Sequence, residues 1–278
     1  MRIPGAASTA IRAVTAGAPQ PAQWLGAVDA ALYFSTTDER PTVFAVLSHD
    51  AVRLPCGLVL ATTKAELPLR TIAPVRDREN ALVGDGRIEW AGPDGPVTIV
   101  AARQWSPLRV RTGAPQITAL AELRTLLAPC ELGLERGPLD GLARTAGAAA
   151  VAGLLGRGPG LTPSGDDVLA GYLLATAAFG MHIAELRRSV ADRAPQATSA
   201  LSAQLLRHAA RGEAVGELIE LVSALIHPAP RTLPAVTARL LQVGHTSGAA
   251  IGWGVLLAGE RAVRRRQPVL STPNGGHR

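Results

Sequence analysis

At Thr112-Gly-Ala-Pro115 the sequence changes texture, and no single kind of secondary structure can serve both sides of that point. Upstream, short apolar runs are broken by Pro, Gly and Asp, which is the pattern of strands and turns. The clearest strands are expected at 30–35, 42–47, 58–62, 87–90 and 97–102, with Gly84-Asp-Gly86 and Pro93-Asp-Gly95 as turns. Downstream, long Ala- and Leu-rich segments with helical spacing predict helices at 116–127, 139–155, 164–179, 183–194, 197–210, 213–226, 233–242 and 247–264. The expected fold class is therefore α+β: an antiparallel sheet or small barrel over 21–113, then an all-helical domain over 114–266. Residues 1–20 read as a loose lead-in and the Pro/Gly-rich 267–278 as a disordered tail.

Within the helical part, Gly156-Arg-Gly-Pro-Gly-Leu-Thr-Pro-Ser-Gly-Asp-Asp167 precedes the apolar run 168–179. Gly156, Gly158 and Gly160 allow a ligand close to bare backbone amides. Thr162, Ser164 and Pro163 are residues that open helices, and Ser164 to Asp167 has capping-box spacing. A helix start of this kind offers free N–H groups and a positive dipole end to a phosphate or carboxylate, with Gly165 inside the same turn. Asp166 and Asp167 would repel such an anion unless a divalent cation such as Mg, an arginine such as Arg157, or a purely capping role for one of them intervenes. No cofactor is required with certainty, and the bland alternative is a capped helix with no ligand. The motif is not a Walker loop, because Gly-Lys-Ser/Thr is absent.

A second stretch, His245-Thr-Ser-Gly248, echoes Leu161-Thr-Pro-Ser-Gly165, and each precedes an apolar helix with a further internal glycine, Gly171 or Gly254. Two helix starts converging on one pocket would supply amides and the hydroxyls of Thr246 and Ser247 from both sides. The alternative is that Thr246 and Ser247 only cap their helix. Thr198 and Ser202 are four apart on one helix face, where with Ser199 they could hold ligand oxygens, or Thr198 or Ser199 could be a cap. His245 is the candidate acid or base, and a structural hydrogen bond is its alternative role. Asp166 and Asp167, pointing about 100° apart on the first turn, divide the work. Asp167 is expected to cap through the Ser164 N–H, leaving Asp166 to face the pocket.

The net charge of +6 comes almost wholly from arginine, Lys64 being the sole lysine, and aromatic residues make up 3% of the chain. A nucleic-acid face would want basic residues interleaved with stacking aromatics, so none is expected. Cys56 and Cys130 show no metal-binding spacing and point to a reducing, cytoplasmic setting. Neither long apolar helix reaches the roughly 20 residues that a membrane span requires.

Gly158-Pro-Gly-Leu-Thr-Pro-Ser-Gly-Asp-Asp167, with Thr198-Ser-Ala-Leu-Ser202, Leu206 and Gly212, and Gly244-His-Thr-Ser-Gly248, resembles in order and spacing the AllH family, that of the small subunit of oxamate carbamoyltransferase. The resemblance covers roughly the second half of the chain. One departure is Ala249 and Ala250, where the family often carries an acidic residue, and it bears on the substrate more than on the fold. The resemblance implies phosphate-dependent cleavage of oxalurate or a related ureido acid to an amide or amine and carbamoyl phosphate, a step of purine or allantoin catabolism. It implies an anionic substrate and phosphate as ligands and further transferase subunits, or copies of the chain itself, as partners. On that reading Asp166 and His245 are catalytic, while Gly158, Gly160, Thr162, Ser164, Gly165, Asp167, Thr198, Ser199, Ser202, Thr246, Ser247 and Gly248 bind substrate or phosphate. The rival is a non-catalytic ligand-binding or assembly subunit.

Overall fold

The computed structural model describes residues 1–75, 80–229 and 231–266, so the expected tail at 267–278 lies outside the described residues. Among the described residues, the first part is a closed barrel of eight strands: β1 (Arg2–Ser8), β2 (Gln20–Val28), β3 (Ala31–Thr36), β4 (Val43–Leu47), β5 (Gly57–Leu60), β6 (Asn80–Gly84), β7 (Arg87–Gly92) and β8 (Gly95–Trp105). The order around the barrel is β1, β5, β4, β3, β2, β6, β7, β8. Alternation drives it: on β7, Ile88 and Trp90 are buried while Arg87 is exposed. Phe34, Phe44, Leu58, Ile88 and Ile99 fill the interior, with the rings of Phe34 and Phe44 stacked at 5.5 Å. Asp85 and Gly86 both take positive φ at the β6–β7 turn, which matches the twist of a two-residue hairpin.

Two expectations change here. Residues 1–20 are no loose lead-in, because β1 closes the barrel by pairing parallel to β8, from Arg2 opposite Thr98 to Ser8 opposite Trp105. The barrel is also not wholly antiparallel, since β4 and β5 pair in parallel as well. Local composition did not reveal β1, as its Pro4, Gly5 and alanines have weak strand preference and are held by the edges they seal.

The helical part comprises α1 (Arg12–Thr15), a short turn within the barrel region, and then α2 (Ile117–Leu127), α3 (Arg136–Arg144), α4 (Ala148–Leu154), α5 (Ser164–Ala178), α6 (Ala184–Ala197), α7 (Ala200–Ala210), α8 (Gly216–Ile226), α9 (Thr232–Leu240) and α10 (Ser247–Arg266). The single helix expected over 139–155 is split at Ala146, which takes a φ of 53°. Proline does not end α6, which runs through Pro195 to Ala197.

α5 is buried on nearly every side, with Val168, Leu169, Tyr172, Leu173 and Leu174 at 1% exposure or less. It packs on α10 through glycine. A Cβ on Gly171 would stand 2.1 Å from the Ile251 carbonyl oxygen, and one on Gly254 would stand 2.0 Å from that of Val168. The starts of the two helices also meet, Thr162 against Ser247 and Ser164 against Thr246, so the two helices run in the same direction with their N-termini side by side.

The two parts are joined by a chain of polar contacts. Arg109, after the barrel, donates to Glu213 at 2.6 Å, and the buried His208 ring donates from Nδ1 to the other Glu213 oxygen at 2.9 Å. Gln204 donates to His208 Nε2 at 3.0 Å, and Arg207 donates both to Gln204 and to the Pro41 carbonyl between β3 and β4. Burial pushes the His208 pKa down and keeps the ring neutral, while the ring and Arg109 together outweigh burial and hold Glu213 below the usual carboxylate range.

Gly254→Ala is expected to cost on the order of 3 kcal/mol, because its methyl meets backbone that cannot step aside. Gly252→Ala, whose Cβ meets only Leu127 methyls at 3.0 Å, costs less. Denaturant unfolding of the two variants checks the ordering.

Candidate functional site at two helix N-termini

Parallel packing brings the starts of α5 and α10 together, and their hydroxyls touch. Thr162 Oγ1 lies 3.1 Å from Ser247 Oγ, and Ser164 Oγ lies 3.5 Å from Thr246 Oγ1. Glycine again permits the approach of the flanking chain: a Cβ on Gly165 would fall 2.0 Å from the Leu154 carbonyl oxygen, and one on Gly248 1.9 Å from that of Leu240. The echo between the two sequence stretches is thus a spatial pairing as well.

The glycine loop folds back over the start of α5. Gly158, at a φ of 109°, sits where a Cβ would be 2.8 Å from the Ser164 nitrogen. The Gly165 N–H donates to the Arg157 carbonyl at 2.8 Å, and the Gly248 N–H donates to the Val243 carbonyl at 2.9 Å. Part of the helix-end donor set is therefore spent on the chain itself. Gly160, in contrast, is exposed with nothing within 4 Å of its Cβ position.

The Thr198, Ser199 and Ser202 group forms a second cluster on the far side of the loop. Ser199 caps α7 by accepting from the Ser202 N–H at 3.1 Å, and its own hydroxyl donates to the Leu161 carbonyl at 2.5 Å. Ser202 Oγ reaches the same carbonyl at 3.5 Å. Thr198 donates to Asp166 Oδ2. His245 is exposed in the turn before α10.

The two aspartates divide the work differently from the sequence expectation. The N-cap position of α5 is Pro163, which has no side-chain acceptor, so Ser164 is the first helical residue and no capping box forms. Asp166 is tied into the scaffold: Oδ1 accepts from the Gly156 N–H at 2.8 Å and Oδ2 accepts from Thr198. Burial pushes its pKa up, with Thr198, Gly156 and Ser202 pulling partly back. Asp167 is 6% exposed, and its Oδ2 is buried without a hydrogen-bond partner. Burial lifts its pKa to about 7, aided by the charge on Asp166 and opposed by the hydroxyls of Ser247 and Thr162. Asp167 therefore stands between its charged and neutral forms near neutral pH, at the positive ends of two helices. Adjacent residue letters could not separate these roles, because burial and the partner loops assign them.

A cavity of about 270 Å³ opens against the outer side of the loop, between Leu134, Glu135, Pro138, Gly153, Arg157 and Gly158. Among the described residues there is no cluster of three His, Cys, Asp or Glu suited to a metal ion, and no helix is long and apolar enough to cross a membrane.

Two variants separate the aspartates. Asp166→Ala strands the Gly156 N–H and is expected to cost on the order of 1–3 kcal/mol in chemical denaturation. Asp167 has a folded pKa above its unfolded one, so its stabilising contribution is complete below about pH 4 and is lost as pH rises through about 7. Asp167→Asn is accordingly expected to melt above the native chain at pH 8 and to lose that advantage toward pH 4, which melting curves across that range test.

No solved structure matches the chain. Residues 154–259 match the family model described as oxamate carbamoyltransferase subunit AllH. That match spans the glycine loop, both helix starts and the α7 cluster, and over those residues the chain is similar to the AllH family.

Proposed function

We propose that this chain is a carbamoyltransferase subunit whose paired helix starts bind an anionic ureido acid, with oxalurate as the reference substrate and phosphate as the second ligand. The observation that carries this reading is Asp167, a buried carboxyl with one oxygen lacking a hydrogen-bond partner and a pKa of about 7, set between Thr162, Ser247 and two helix N-termini. In its neutral form it no longer repels an anion drawn by the helix dipoles, and it can donate a hydrogen bond.

Attack of a phosphate oxygen on the ureido carbonyl forms a P–O–C bond and a tetrahedral oxyanion. Collapse breaks the bond to the inner nitrogen, which must take a proton to leave as the amide of oxamate. Asp167 is the group able to hold that proton at neutral pH, and the hydroxyls of Thr162, Ser164, Thr246 and Ser247 are placed to orient ligand oxygens. Asp166 serves by fixing the loop through Gly156 and Thr198. Arg157, exposed at the loop and bordering the cavity, carries a guanidinium able to engage phosphate oxygens.

One observation favours assembly as a companion role. Leu161, at the tip of the loop, is 46% exposed while its carbonyl is fixed by Ser199, so it offers a rigid apolar point to another subunit.

Calorimetric titration with oxalurate and with phosphate, each between about pH 6 and 8, tests the proposal. Affinity is expected to fall as pH rises through about 7, and Asp167→Asn should flatten that dependence. Absence of binding at millimolar ligand across the range would overturn the ligand site. Loss of subunit association alone in Leu161→Asp would leave only the assembly role.

A further inference from the structure

A different face of the helical part carries four arginines around one cleft. α6 contributes Arg187 and Arg188, and α7 contributes Arg207 and, at its C-cap, Arg211, around a cavity of about 380 Å³. This lies within the size range of sites for small organic ligands. The floor is apolar: Val190, Ala194 and Leu206 are each at most 3% exposed. Such a narrow floor between two helices does not offer the broad apolar surface of a protein interface, but it accommodates a ring or short hydrocarbon body.

The charges are the distinguishing feature. Arg207 and Arg211 are one turn apart on the same helix face. Among the described residues none of the four makes a salt bridge, and no carboxylate lines the cleft. Asp192, one turn beyond Arg188, lines a neighbouring cavity instead. Arg207 spends donors on Gln204 and Pro41, while its charge is disfavoured first by burial and then by Arg211 beside it. Like charges left close together without a counter-charge are relieved by an anion, and guanidinium forks engage phosphate oxygens two at a time. A carboxylate would occupy one fork, whereas a phosphate dianion can engage forks from both walls.

We infer that the cleft between α6 and α7 binds a phosphate monoester with an apolar or planar body, its head held by the arginines of both helices and its body seated on Val190, Ala194 and Leu206. This site is separate from the α5 and α10 helix starts and does not rest on their proposed role.

Phenyl phosphate is the probe, with inorganic phosphate as the head alone. In calorimetry on the full chain, phenyl phosphate is expected to bind at least about tenfold tighter than inorganic phosphate. Arg187→Gln combined with Arg211→Gln, both exposed residues whose loss leaves the core intact, should weaken phenyl phosphate by about tenfold or more. Ala203 also lines the cleft at 4% exposure, and Ala203→Leu, which narrows the floor, should weaken phenyl phosphate while sparing inorganic phosphate. Asp167→Asn should leave phenyl phosphate binding unchanged, which separates this cleft from the phosphate site proposed at the helix starts. The inference is overturned if phenyl phosphate does not bind at millimolar concentration, if it binds no better than inorganic phosphate, or if the double arginine variant binds it unchanged.

Discussion

Two parallel helices whose backbones nearly touch organise the helical half of this molecule. Parallel neighbours set their dipoles in the less favourable arrangement, with positive ends together. Dense packing offsets that cost: Gly171 and Gly254 let carbonyls of the opposite helix approach to where a side chain would stand, and Tyr172, Val168 and Val255 complete a dry seam. The price of glycine within each helix, about 1 kcal/mol against alanine, is small beside this contact. The positive field at the joined N-termini follows from the packing rather than from any one residue.

Negative charge is the natural complement of that field, and the chain places two carboxyls there in unlike surroundings. Asp166 accepts from Gly156 and Thr198 and so links the glycine loop to the start of α7. Asp167, one residue on, points into the space between the helix starts and keeps an oxygen without a partner. Neighbouring carboxyls driven apart by environment are a recurrent basis for assigning one group to proton transfer and another to structure. Here desolvation, more than the repulsion between them, lifts Asp167 toward neutrality.

The barrel is coupled to this arrangement through α7. The helix that receives Asp166 at its N-terminal side carries Gln204, Arg207 and His208 farther along, and these reach Glu213, Arg109 and the Pro41 carbonyl. Leu205 adds an apolar contact to the barrel core. Each member of this partly buried chain has a partner, which is the condition under which such networks hold two elements in one register.

Much of this was legible in the residues alone. The change of texture after Arg111 separates barrel from helices because strand and helix periods differ, and the repeated Ser-Gly before an apolar run marks both helix starts. Sequence also determined where backbones can approach closely, since only glycine leaves the room. Three things lay beyond it. β1 became a strand only because the closing barrel needed an edge partner for β8. The unlike surroundings of Asp166 and Asp167 depended on Pro163 taking the cap position and on Gly156 and Thr198 arriving from distant segments. The joining of Thr162 with Ser247 and of Ser164 with Thr246 required two helices to pack in parallel, a long-range choice made by the shape of the whole core, which no local pattern of side chains encodes.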